Sequence, residues 1–236
     1  MFHYIKTPRY QVPQQANGKE KLAYLLKSWG VVIAINIALT FFIFVINFII
    51  TKYFHQASIM HESNALTYVW TKYKSWGFLF IVFIGPFLEE TMFRLGLNFK
   101  RKSVATGIGL LCLLLSGLHL FSFNFFLLTD YIKLFSAIAA GLLAAILFTQ
   151  PFLDKIKEKY FAIFFYASAT AFALVHLSNF TPINYKLIYI YPLLVLPQFA
   201  EGLFIGNIRM RYGFIWGFFL HGLTNLLPAI VFLVNH

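Results

Sequence analysis

The sequence predicts an all-α, polytopic transmembrane helix bundle of about seven spans. Three observations predict it. First, 60% of the 236 residues are hydrophobic, 20% are aromatic and only 11% are charged, and the mean hydropathy is +0.73. A soluble domain of this length has no interior large enough to hide so much apolar surface. Second, several continuous apolar stretches reach the ~20 residues that a helix needs to cross a bilayer. Their unbroken character suits helices better than the in-and-out alternation of a barrel. Third, lysine and arginine are concentrated at alternate ends of those stretches.

Taken in order, residues 1–28 form a polar tail with Pro8, Pro13 and a Gln/Asn-rich patch. They lack the short apolar core and small-residue cleavage site of a signal peptide, so the first span, 29–52, reads as an uncleaved anchor. An outer loop follows to residue 74. It carries His55, His61, Trp70 and Tyr73 and is expected to include a helix at the membrane interface, where aromatic residues are favoured. The remaining spans fall at 75–98, 103–122, 132–151, 160–181, 187–207 and 212–234. Cys112 is the single cysteine, so no internal disulfide forms.

The formal net charge of +11 reads as topology and not as a nucleic-acid footprint; no nucleic-acid partner is expected. Lys6, Arg9, Lys19, Lys21 and Lys27 precede the first span. Lys100, Arg101 and Lys102 follow the second, Lys155, Lys157 and Lys159 follow the fourth, and Arg209 and Arg211 follow the sixth. The opposite side holds only Lys52, Lys72, Lys74, Lys133 and Lys186, with Arg94 inside a helix. By the positive-inside rule the N-terminus is cytoplasmic, and an odd number of spans puts the C-terminus outside.

Charged groups at membrane depth are costly and tend to mark function. Glu89 and Glu90 fall midway between Lys74 and Lys100, and His119 midway between Lys102 and Lys133. His176 lies slightly outward of the midpoint of its span, and His221 and Asn225 near the centre of the last. At 1.5 Å per residue all project to within roughly one helical turn of one plane. A lone intramembrane histidine is more often an interhelical hydrogen-bonding group than a ligand, and His119 is read that way first. Adjacent carboxylates, about 100° apart on a helix, cannot hide behind one partner. Glu90 and Arg94, four apart, can pair along the helix, leaving Glu89 to address another helix. Glu201, three residues after Gln198, is given a structural role, Gly202 and Gly206 a close helix approach, and Pro86 a kink.

Glu89-Glu90-Thr91-Met92-Phe93-Arg94 matches the EExxxR motif of the CPBP family, the CAAX proteases and bacteriocin-processing or Abi proteins. Phe172-Ala173-Leu174-Val175-His176 resembles its FxxxH motif, and His221-Gly222-Leu223-Thr224-Asn225 its HxxxN motif. The resemblance covers roughly residues 75–230. It implies a CPBP-like intramembrane protease domain over 75–236, preceded by the tail at 1–28 and the anchor and outer loop at 29–74. One departure is that His176 comes later than the family spacing, with an inserted transmembrane hairpin near 103–151. His119 has the shorter spacing but lacks the phenylalanine, and is the fallback.

The resemblance implies an intramembrane endopeptidase, a metalloprotease by usual label, hydrolysing a membrane-associated peptide or protein by CAAX-type or bacteriocin-type processing. Glu89 would activate water, His176 would help bind or polarise it, and Asn225 would supply an oxyanion donor. His221 would do the same or ligate a metal. Glu89, His176 and His221 form a ligand set that zinc accepts; a metal-free glutamate mechanism is equally open. The Phe, Ile, Lys and Asn content points to a bacterium, and hence to its cytoplasmic membrane. Two rivals stand beside this reading. A non-catalytic scaffold or bacteriocin-immunity protein would keep the fold, and a proton-coupled transporter would also bury acids and histidines, although no repeated half is present to favour it.

Overall fold

The computed structural model describes residues 1–60, 71, 76–117, 126–180 and 183–235, and every regular element among them is helical. Among the described residues five helices are long and apolar enough to cross a membrane: Gly18–Tyr53, Leu128–Leu147, Gln150–Phe180, Tyr185–Tyr212 and Phe214–Val231. The chain is therefore a helical membrane protein. His119, and most of the loop expected to carry an interfacial helix, lie outside the described residues.

A short helix, α1 (Phe2–Lys6), precedes α2 (Gly18–Tyr53). Asn17 caps α2: its side-chain oxygen accepts from the Glu20 N–H at 2.8 Å, and its amide donates to the Glu20 carboxylate at 2.9 Å. The cap satisfies one of the free N–H groups of the first turn, and the Glu20 carboxylate holds the capping side chain in place, which starts the helix ahead of the apolar stretch at 29. The tail before it is docked. Phe2 packs edge-on to Phe204 and Tyr4 to Phe165, the Tyr166 hydroxyl donates to the Ile5 carbonyl at 2.7 Å, and the Gln14 N–H donates to the Arg211 carbonyl at 2.7 Å. Burial pushes the Tyr4 phenol above its usual value, because desolvation disfavours the phenolate.

The expected second span is a broken helical run, α3 (77–98). It passes from α-helix at Gly77–Leu79 to π-helix at Phe80–Ile84, back to α at Gly85–Glu89, to π again at Glu90–Arg94, and ends in a 3₁₀ turn at Leu95–Asn98. This run, interrupted and carrying Glu89, Glu90 and Arg94, is not among the five spanning helices. The next, α4 (Arg101–Leu115), has 15 residues, about 22 Å of helix, and the continuation expected to 122 falls largely outside the described residues. Phe99 joins α3 to α4 in the left-handed region, φ 54°, its carbonyl held by the Gln150 amide at 3.0 Å.

Helix α5 (Leu128–Leu147) packs chiefly on α4. Gly109 and Gly141 face each other at the crossing; a Cβ on Gly109 would lie 3.2 Å from the Ala137 carbonyl oxygen and 3.6 Å from Gly141 Cα, which is how small residues let membrane helices approach. The fourth apolar stretch is expected to run to 151, yet α5 ends at Leu147. Pro151 explains the difference: it sits in the first turn of α6 (Gln150–Val175), where its missing N–H is harmless, and cannot continue the helix before it. Lys155, Lys157 and Lys159 thus belong to the first turns of α6.

After a 3₁₀ turn at His176–Phe180, a second at Tyr185–Ile190 and one turn of helix at Tyr191–Leu194, the chain enters α7 (Leu196–Tyr212) and then α8 (Phe214–Asn235). Helix α7 is central: α2, α6 and α8 all pack on it. Gly206 makes the close approach possible, since a Cβ there would meet the Phe165 ring at 2.7 Å. Gly202 sits against Ala169 in the same groove. Leu25 and Val32 of α2 complete this core with Phe204, Ile205, Ile208 and Leu220.

Candidate active site

The site begins with a proline. Pro86 has no N–H, so in the π register of Phe80–Ile84, where each carbonyl accepts from five residues on, the Ile81 carbonyl loses its partner. Asn225 of α8 replaces it, its side-chain amide donating to the Ile81 oxygen at 3.1 Å. One turn earlier, Gly222 lets α8 touch the same backbone: a Cβ there would stand 2.8 Å from the Val82 carbonyl oxygen. The irregular helix and the final helix are thus joined backbone to side chain just before the two acids.

Glu90 and Arg94 form the pair their spacing predicts, as an ion pair with side chains 0% and 1% exposed. The Arg94 guanidinium lies 4.2 Å from the centre of the Phe172 ring, a cation–π contact, and its Nη2 borders Gly202, where a Cβ would intrude to 3.0 Å. Glu90 also engages α8: His221 Nδ1 lies 3.0 Å from Glu90 Oε1. On the other side of the ring, His221 Nε2 is 3.5 Å from Glu89 Oε2. The imidazole therefore sits between two carboxylates, one sealed in the bundle and the other 30% exposed.

Phe172 is the hub of this packing. Its ring meets His221 edge-on at 5.3 Å and His176 at 4.8 Å, and also touches Phe93. His176 closes α6, its Nδ1 2.8 Å from the Phe172 carbonyl oxygen, which leaves Nε2 as its outward group. No hydrogen bond or ion pair among the described residues joins His176 to Glu89, Glu90 or His221. The structure brings Glu89, Glu90, Arg94 and His221 together, keeps His176 one aromatic ring away, and turns Asn225 towards α3.

Two further groups support the site. Arg209 of α7 is buried and donates through Nη2 to the Leu95 carbonyl at 3.2 Å, fixing the end of the second π segment. Thr224 of α8 contacts the Glu201 carboxyl through its hydroxyl, which is also 2.7 Å from the His221 carbonyl oxygen. Sequence reasoning missed Thr224; its signal was a small hydroxyl three residues beyond a histidine in an apolar helix. A basic cavity of about 710 Å³, lined by Lys100, Arg101, Lys102, Ser103 and Gln150, involves none of these side chains.

The ligand set expected for zinc fits in part. Glu89 Oε2 and His221 Nε2 converge, and Glu90 holds the far nitrogen of His221 as outer carboxylates hold ligand histidines. The third donor, His176, is not with them: among the described residues no group of three or more His, Cys, Asp and Glu is arranged to hold a metal ion. Comparison with known proteins returns no match, whether to a protein-family model, a curated protein or a solved structure.

Proposed function

We propose that the chain is an intramembrane endopeptidase of the CPBP type, cleaving a membrane-associated peptide or protein. The observation that carries this reading is the His221 imidazole held between a sealed, Arg94-paired Glu90 and an accessible Glu89. Peptide hydrolysis needs a base for water, a proton carrier and donors for the developing oxyanion. Glu89 is the base, being the carboxylate that water reaches. Glu90 orients His221 through Nδ1, in the way a buried acid orients the histidine of a hydrolase triad. His221 Nε2, facing Glu89, stabilises the acid after it takes the proton and relays that proton to the leaving amine. His176 gives its Nδ1–H to the Phe172 carbonyl, so its Nε2 offers a lone pair that helps bind the water, and the second N–H of the Asn225 amide is the donor for the carbonyl oxygen. Bacterial peptide maturation, self-immunity or surface-protein processing suits this reading, with the N-terminus on the cytoplasmic side of the cytoplasmic membrane.

The test is purified protein on a peptide library, wild type beside Glu89→Gln, His221→Ala, His176→Ala and His119→Ala, each with and without a chelator. Cleavage by the wild type and none by Glu89→Gln is expected; cleavage that survives Glu89→Gln overturns the assignment. The chelator arm decides whether zinc takes part. One observation favours a non-catalytic scaffold or immunity protein: His176 and Asn225 both bond to backbone carbonyls of the bundle. That reading expects no hydrolysis by any form.

A further inference from the structure

Glu201 is a buried acid in the packing around the site that the proposed mechanism leaves unused. It lies on α7, 7% exposed, and forms no ion pair among the described residues. A carboxyl in an apolar bundle without a cation is costly, and its neighbours Gly202, Phe204 and Ile205 already provide close helix packing. Its carboxyl meets the Thr224 hydroxyl on α8, and that hydroxyl also reaches the carbonyl of His221. A hydroxyl has one hydrogen to give and here has two oxygen partners. If it donates to its own helix, as threonines do, Glu201 supplies the hydrogen of the other contact; if it donates to Glu201, the bond is charge-assisted. In both cases Thr224 depends on Glu201.

His221 is therefore bracketed. Gly222 and Asn225 tie the following turn to α3, and Thr224 ties it to α7. We propose that Glu201 is a positioning residue of the site: through Thr224 it clamps the turn of α8 that presents the His221 ring between Glu89 and Glu90. The role in catalysis rests on the peptidase reading; the clamp on the ring does not.

The experiment therefore has two readouts. The full-length protein is labelled with ¹⁵N-histidine in detergent, His221 is assigned by its loss in His221→Gln, and its ring-nitrogen signals are followed in Thr224→Val, Thr224→Ser, Glu201→Leu and Glu201→Gln beside peptide cleavage. Thr224→Val and Glu201→Leu are expected to move the His221 signals. Both should lower kcat about 10- to 100-fold, as misplaced catalytic groups do, with KM little changed. Thr224→Ser and Glu201→Gln, which keep the hydrogen bond, should restore kcat. Thr224→Val preserves shape and decides the matter if Glu201→Leu fails to fold. Unmoved His221 signals in Thr224→Val, or Glu201→Gln as impaired as Glu201→Leu, would overturn the clamp. If the wild type cleaves nothing, the peptidase reading falls and the ring signals still decide the clamp.

Discussion

Removing Glu90 would strand Arg94. Both side chains are buried, and breaking a buried pair by deleting one partner costs about 3–5 kcal/mol because the remaining charge is uncompensated. Glu90→Ala is expected to lower the thermal unfolding temperature in detergent sharply and to free His221 Nδ1, lost activity being secondary to lost structure. Glu89→Gln is the contrasting case. Its carboxyl is part-exposed and pairs only loosely with His221 at 3.5 Å, so its unfolding temperature should stay close to wild type, while the peptidase proposal expects cleavage to stop. A matched pair of melting curves and product analyses on the two variants separates these outcomes. The Glu90–Arg94 pairing was legible because four residues along a helix is one turn, whatever the surroundings. The placement of His176 was not: its separation from Glu89 depends on the Phe172 ring, which the FxxxH spacing names without orienting.

Among the elements, α3 shows how a local defect becomes a contact between helices. If Asn225 serves the carbonyl that Pro86 leaves unpartnered, the two residues are coupled. Asn225→Leu alone should cost about 1 kcal/mol, the size of an interhelical hydrogen bond in membranes. In a Pro86→Ala background, which returns an N–H to the ladder, that cost should shrink; a double-mutant cycle on unfolding free energies measures the coupling, and strict additivity would refute the link. Gly222→Ala makes a second case, forcing a Cβ to within 2.8 Å of the Val82 oxygen; overpacking of this kind costs about 1–3 kcal/mol, read as a lower unfolding temperature. Spans α2 and α8 were plain in the sequence as long apolar runs. The boundaries were less so: Asn17 sets the start of α2 by hydrogen bonds it makes and Pro151 the end of α5 by the N–H it lacks, neither of which hydropathy registers. The alternation of α and π turns in α3 was hidden for the same reason, although Pro86 marked its place as a kink.

At the scale of the whole molecule, a tightly packed set surrounds α7, and beside it stands the α4–α5 hairpin, whose α4 arm packs on the Glu90–Asn98 part of α3 while α5 is the outlying arm. The hairpin is held by Gly109 and Gly141 and by the Arg101 guanidinium on the Ala145 carbonyl, while Ile132, Phe135, Ile138 and Leu142 of α5 face outward. Gly141→Ile should pry the hairpin open and speed proteolysis there, with the Glu89–His221–Glu90 contacts unaffected; limited proteolysis with cleavage assays checks both halves of that expectation.

The docked tail has a consequence for how the molecule comes together. Phe2, Tyr4, Ile5 and Gln14 rest on Phe204, Phe165, Tyr166 and Arg211, partners that follow 161 to 202 residues later in the sequence. During translation the tail has nowhere to settle until α6 and α7 have been inserted and packed. Its seating is then a late event: until α6 and α7 are in place the segment stays open to proteolysis, and once they have packed it is covered.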